Sequence, residues 1–247
     1  MKGDPPLKTR WIAWALALLC GVGCFLLLRH FMGPGPEVVP HLGGKLSTPP
    51  AWTIEAFDVP PGPKLPRGWK YRFWKGHEPA EITPRERGNT CIRLTSHSSS
   101  TALFHPISFR VQQFPYLNWS WMAMHLPEGA DARFPRKVDH AAQIYVLFFK
   151  NPNPLSARAL GYVWATQTPK DTVITSAKWN LVRYIVLRNQ QDPTGVWFQE
   201  RRNILEDYRT LFHEEPPKAG AIAIQIDSDD LRTSAESYFD DIFLSKP

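Results

Sequence analysis

Four carboxylates, Asp139, Glu200, Asp207 and Asp227, are the side chains of this sequence best suited to acid–base chemistry. Glycoside hydrolysis needs two such groups flanking one bond, about 5 Å apart in a retaining mechanism or about 6.5–9.5 Å apart in an inverting one. Nothing in the sequence places any two of the four together. Glu200 and Asp207 also stand close to Arg201, Arg202 and Arg209, so an ion-pair knot around Trp197 accounts for them more simply than catalysis does. A second set suits sugar binding. Tyr162, Trp164, Tyr184 and Arg188 fall at alternating positions of two expected strands. Flat aromatic rings stack on pyranose faces, and Arg188, Gln143 or Asp139 would bond hydroxyls. The plainer reading of each aromatic is core filling. A third set, Glu55 and Asp58 near the first expected strand with Asp240 and Asp241 on the last, is a candidate structural calcium site. Calcium takes about six to eight oxygens, which carboxylates and main-chain carbonyls supply. The alternative is ordinary edge carboxylates.

Other chemistries lack their residues. The eight His form neither His-x-x-x-His nor His-Glu-x-x-His, so no catalytic zinc pattern is present. There is no Gly-x-Ser-x-Gly elbow and no Gly-rich phosphate loop. Cys20 and Cys24 lie in an apolar N-terminal run, which leaves Cys91 alone in the rest of the chain. Cys91 is expected to be a buried free thiol. Formal net charge is +6. Residues 1–32 carry +3 of it, and the remaining 215 residues balance 25 basic against 22 acidic groups. No basic stripe is left for nucleic acid, so that partner is excluded.

The elements that must position these residues read as strands and turns. Twenty-four Pro, 15 Gly and ten Trp suit a strand-rich body with one large core. Strands are expected at Trp52–Val59, Trp69–Lys75, Asn89–Ser96, Leu103–Val111, Leu117–His125, Ala141–Phe149, Ala159–Gln167, Asn180–Arg188, Gly220–Asp227 and Ser237–Leu244. Asn89–Ser96 and Leu103–Val111 read as a pair about the Ser98–Thr101 turn. One helix is expected at Asn203–Phe212. Ile204, Leu205, Tyr208, Leu211 and Phe212 make an apolar stripe, Asn203 and Glu206 form a capping box, and Pro216-Pro217 forbids continuation. About ten residues are too few for a stable isolated helix, so it must bury that stripe and plug one end of the core. The fold class expected is all-β, an antiparallel jelly-roll β-sandwich with one short helix, over residues 51–247.

A single transmembrane helix is expected before it. Trp11–Leu28 is uncharged and would span about 27 Å as a helix, close to the thickness of a bilayer core. Lys2, Lys8 and Arg10 precede it, which keeps residues 1–10 in the cytoplasm and exports the remainder. Residues 11–32 then act as a signal anchor, with 33–50 a Pro/Gly linker. Two other readings stay open: a cleaved signal peptide, which lacks an Ala-x-Ala site, and a lipoprotein using Gly21-Val22-Gly23 before Cys24.

Several segments resemble the bacterial family called domain of unknown function 3047. They are Leu117-Asn118-Trp119-Ser120-Trp121, Asp139-His140-Ala141-Ala142, Ile144-Tyr145-Val146 and Ala159–Trp164, then Trp197, Glu200, Arg202-Asn203, Asp207-Tyr208-Arg209, Phe212 and Glu215-Pro216-Pro217, and finally Ala221–Asp227 and Tyr238–Leu244. The likeness runs from about Ala51 to Leu244. Two departures stand out. The family commonly has an acidic pair where this chain has Asp139-His140, and an Asp-Thr-Asp-Asn-type run where it has Asp227-Ser228-Asp229-Asp230. The resemblance implies an exported bacterial sandwich similar to galactose-binding-like modules, and it carries over no particular activity. The expectation is therefore a periplasm-facing module on the bacterial inner membrane that binds a carbohydrate or another envelope ligand. The alternatives are a polysaccharide hydrolase using paired carboxylates and a protein–protein adaptor of the envelope.

Overall fold

The computed structural model describes residues 51–149, 157–177 and 179–247. The expected anchor at 11–32 and linker at 33–50 lie outside the described residues. Among the described residues no helix is long and apolar enough to cross a membrane.

Two sheets face each other across one aromatic-rich core. The first takes β1 (Ala51–Glu55), β3 (Glu81–Pro84), β4 (Thr90–His97), β6 (Tyr116–His125), β11 (Phe198–Asn203) and β13 (Ser234–Ser245). Its order is β11-β6-β13-β4-β3, with β1 paired to the end of β13. The second takes β2 (Lys70–Lys75), β5 (Ser100–Phe109), β7 (His140–Phe148), β8 (Arg158–Trp164), β9 (Val173–Thr175), β10 (Val182–Arg188) and β12 (Ala219–Asp227). Its order is β2-β5-β12-β7-β8-β10-β9. An all-β sandwich of two sheets with one short helix is thus what forms.

Three features differ from the expectation. β8 and β10 run parallel, so the sandwich is mixed. The chain leaves β8, crosses the end of the sheet, forms the short β9 hairpin onto β10 and returns in the original direction. β4 and β5 are not a hydrogen-bonded pair. The turn at Ser98, with φ 53°, hands the chain from one sheet to the other. Trp197–Arg202 holds a strand, β11, pairing with β6 at the sheet edge. Its charges conceal the strand pattern, and charges pointing inward are a recognised way of blunting an edge.

The core is built by β-alternation. Leu103, Ile144, Val146, Tyr162, Trp164, Ile185, Ile222, Ile224 and Ile226 point inward from the second sheet against Leu117, Trp119, Trp121 and Phe239 of the first. Tyr162 stacks on Trp119 with centroids 5.3 Å apart, and Trp164 lies 5.9 Å from Trp121. In β13 alternation breaks at a bulge. Asp241 adopts φ 49°, so Phe239 points inward before it and Ile242 and Leu244 after it.

The helix, α1 (Ile204–Phe212), forms as its caps dictate. The Asn203 side chain accepts from Glu206 N, and His213 closes the far end in the left-handed region, donating its N–H to Arg209 O. Ile204, Tyr208, Leu211 and Phe212 are buried in the main core. Each large apolar side chain so buried contributes roughly 1.5–3 kcal/mol, which holds a helix too short to stand alone. Cys91 is a buried free thiol, and burial pushes its pKa up.

Candidate ligand-binding face

Because Leu103, Ile144, Tyr162, Ile185 and Ile224 face the core, their neighbours in each strand face the other way. Strand register lays those neighbours in rows across the outside of the seven-stranded sheet. One row runs Phe104, Ala223, Tyr145, Gly161, Tyr184 over β5, β12, β7, β8 and β10. The next runs Arg72, Ala102, Gln225, Gln143, Val163 from β2 to β8. A third pairs Ser100 with Asp227 and Asp227 with His140. An aromatic row therefore lies beside a polar one, with alanines between the larger side chains.

Two details shape this face. Strand spacing puts the backbones of Phe104 and Tyr145 roughly 10 Å apart, with only the methyl of Ala223 between them. The Tyr145 ring leans the other way, onto Gly161, where a Cβ would meet its Cε1 at 2.3 Å. Its hydroxyl donates to Gln143 Oε1 at 2.6 Å. Phe104, Tyr145 and Leu147 are half-buried, as are Phe149 and Trp179, which pack with Phe104 and Leu147.

At the polar end sit Asp227 and Asp139. Asp227 Oδ1 accepts from His140 N at 2.6 Å, and Gln225 Nε2 donates to Oδ2 at 3.2 Å. Asp139 accepts from Asp230 N at 3.0 Å and Leu231 N at 2.9 Å. Burial first, then the Asp139 charge, pushes Asp227 up to about 8, while His140 N–H and the Gln143 amide oppose the rise. Gln143 leans toward Asp227, although its Nε2 completes no well-aligned hydrogen bond. Burial also raises Asp139, against the two main-chain N–H groups it accepts from. The Tyr184 hydroxyl is buried and makes no hydrogen bond. Burial and the nearby Asp227 raise its pKa.

Of the four candidate acids, Asp139 and Asp227 come together, and Glu200 and Asp207 are structural. Glu200 accepts from Trp121 Nε1 at 3.1 Å and Arg188 Nε at 2.7 Å. Asp207 accepts from Tyr162 Oη at 2.7 Å and takes two bonds from Arg202. Both acids are ion-paired, but not in one knot around Trp197: Glu200 takes Arg188 and Asp207 takes Arg202. Trp197 lies under the guanidinium of Arg85, which is 3.9 Å from its ring centre and pairs with Asp240 and Asp241.

The sugar-binding set divides. Gln143 and Tyr184 lie on the outer side of the sheet but are buried there, Tyr184 in a second apolar cluster with Ala132, Val163 and Val186. Tyr162 and Trp164 are fully buried between the sheets, because Tyr162 pairs with Ile185 and so occupies the opposite face from Tyr184. Arg188 turns its guanidinium over Phe198 at 3.9 Å and bonds Glu200 and Asp192. These three residues belong to the core and its rim, not to a ligand.

The calcium set is not assembled. Among the described residues no three His, Cys, Asp or Glu side chains converge to hold a metal. Glu55 accepts from Phe57 N and Trp69 Nε1, and the buried Asp240 carboxylate is taken by Arg85 and Asn89. Asp241 shares the same arginine at 3.2 Å, and Asp58 is exposed. A guanidinium stands where an ion would be needed.

Sequence reading missed Arg72, Phe104, Tyr145 and Gln225. A glycine inside a strand marks a close approach, so Gly161 was the available sign of Tyr145.

The sequence profile described as Protein of unknown function (DUF3047) matches residues 67–243. The chain belongs to this family. The match spans every residue of the two rows above, from Arg72 to Gln225, and also Asp227. Among curated proteins nothing matches. Among solved structures, one with similar architecture is the family 11 carbohydrate-binding module of cellulosomal cellulase Lic26A-Cel5E of Clostridium thermocellum. It is 8% identical, with a TM-score of 0.44, and the overlap covers 81% of this chain and 97% of that one. Another is endoglucanase cel12A from Rhodothermus marinus, 14% identical with a TM-score of 0.40, covering 68% of this chain and 89% of that one.

Proposed function

We propose that this DUF3047 chain is a membrane-anchored, periplasm-facing module that binds an envelope carbohydrate on the outer face of its seven-stranded sheet. The observation that carries the proposal is the pair of rows on that face. Half-buried rings at Phe104 and Tyr145 offer apolar surface for a sugar ring, Arg72 and Gln225 offer polar groups beside them, and the buried Gln143 braces the Tyr145 hydroxyl from behind. The buried, unbonded Tyr184 hydroxyl is a polar group whose partner a ligand would supply. The uncharged run Trp11–Leu28, with basic residues before it, supports single-pass anchoring in a bacterial inner membrane.

The test is a glycan array probed with the full-length protein in detergent, beside Tyr145→Ala and Phe104→Ala. The reading expects selective glycan binding that both substitutions weaken. Binding to no glycan, or binding that neither substitution changes, would overturn it.

A hydrolase is the second reading, because two carboxyls do converge and burial pushes one of them, Asp227, up to about 8. Binding fits better. Asp139 is 1% exposed, and both its oxygens accept from the Asp230 and Leu231 amides of one loop, which is the arrangement of a loop clamp.

A further inference from the structure

Five carboxylates are buried among the described residues: Asp131, Asp139, Asp192, Asp227 and Asp240. Three carry a cationic side chain. Asp131 has Arg133, Asp192 has Lys170 and Arg188, and Asp240 has Arg85. Asp139 and Asp227 have neither an arginine nor a lysine, and they are the two that lie together. A buried carboxylate without a counter-charge is costly, and it escapes that cost by keeping its proton. The groups facing Asp227 are Asp139 and His140 from the segment entering β7, Tyr145 on β7, Tyr184 on β10, and Asp229 beyond β12. His140 Nδ1 is 3.9 Å from Asp227 Oδ1, and Asp229 is turned to Lys75.

Two further observations point outward from this pair. The Tyr184 hydroxyl, on a residue 2% exposed, has no hydrogen-bond partner, and its ring stands edge-on to His140 at 5.2 Å. Asp227 is the more accessible carboxyl, with its side chain 12% exposed beside the polar row.

We infer that the ligand of this face is an amino sugar whose ammonium group docks on Asp227, with Asp139 behind it and the Tyr184 hydroxyl beside it. This rests on the carbohydrate-binding reading above. The ammonium would supply a full positive charge where the chain places no arginine or lysine and only the His140 ring stands nearby, 3.9 Å from Asp227 Oδ1. Binding replaces the proton of the neutral Asp227 carboxyl by the ammonium: the carboxyl gives its proton to solvent, and the resulting carboxylate pairs with the ammonium.

The experiment is calorimetric titration of the full-length protein in detergent near pH 6. The probes are a glucosamine oligomer and the matching N-acetylglucosamine oligomer. Buffers of different ionisation enthalpy report the protons released. The inference expects the glucosamine oligomer to bind at least about 10-fold more tightly, with about one proton released per ligand. Asp227→Asn should bring the ratio of the two affinities close to one. Equal affinities in the wild type, no proton release, or a preference that survives Asp227→Asn would overturn the inference and leave the carbohydrate reading standing. If neither oligomer binds and the array also shows no glycan, both fall. Proton release is read on the unmodified chain, so the test does not depend on the variant folding.

Discussion

Asp227 and Tyr145 each carry a separate consequence. Asp227 holds its proton up to about 8 in the folded chain, against an ordinary 3.8. Between those values the folded state binds a proton that the unfolded state has shed, so stability falls as pH rises from about 4 to about 8. Asp240, raised to about 6, adds in the same direction. Melting temperature should therefore decline from pH 5 to pH 9, and Asp227→Asn should flatten that decline. A variant with the wild-type slope would show that Asp227 is ionised throughout. Tyr145 lines the proposed binding face with a half-buried ring. Tyr145→Ala should weaken glycan binding about 10-fold or more, in line with the loss of an aromatic anchor, while leaving the melting temperature far less changed than Tyr162→Ala does. Both acids were visible as candidates in the sequence. That they meet was not, because His140 and Asp227 are joined only by strand pairing across the sheet.

Elements differ in how plainly they were written. The helix was legible to within a residue, since its stripe, its cap and its Pro-Pro stop all agree. Asn203→Ala should lower stability by about 1 kcal/mol, and Tyr208→Ala by about 3–5 kcal/mol, both measurable by denaturant unfolding. The faces of β8 were not legible. Arg158–Trp164 is buried on both sides, so alternation could not say whether Tyr162 or its neighbours look inward. The parallel run of β10 then reversed the assumed partnership, placing Tyr184 opposite Gly161 instead of beside Tyr162. Gly161 has a predictable sensitivity of its own. Gly161→Ala drives a methyl into the Tyr145 ring. It should cost about 1–3 kcal/mol in unfolding free energy and weaken glycan binding together with it. A variant as stable as wild type would mean that Tyr145 leaves Gly161 readily. Short edge strands β3 and β9, of four and three residues, were lost for want of length.

At the scale of the whole molecule, the chain joins a strand body to an N-terminal run suited to a bilayer. Deleting residues 1–32 should move the protein from the membrane fraction to the soluble periplasmic or cytosolic fraction; retention in the membrane would end the anchoring reading. Within the body, aromatic side chains serve two ends. Trp119, Trp121, Tyr162 and Trp164 fill the space between the sheets. Phe104, Tyr145 and Trp179 remain partly open on the outside. Hydroxyl-radical footprinting of the full-length protein, with and without a pool of soluble envelope glycan fragments, separates these two groups directly. The account predicts protection of Phe104, Tyr145 and Trp179, with Trp197 and Met124 on the other side of the molecule unchanged. Protection confined to Trp197 and Met124, with the three outer-face rings as reactive as before, would contradict it.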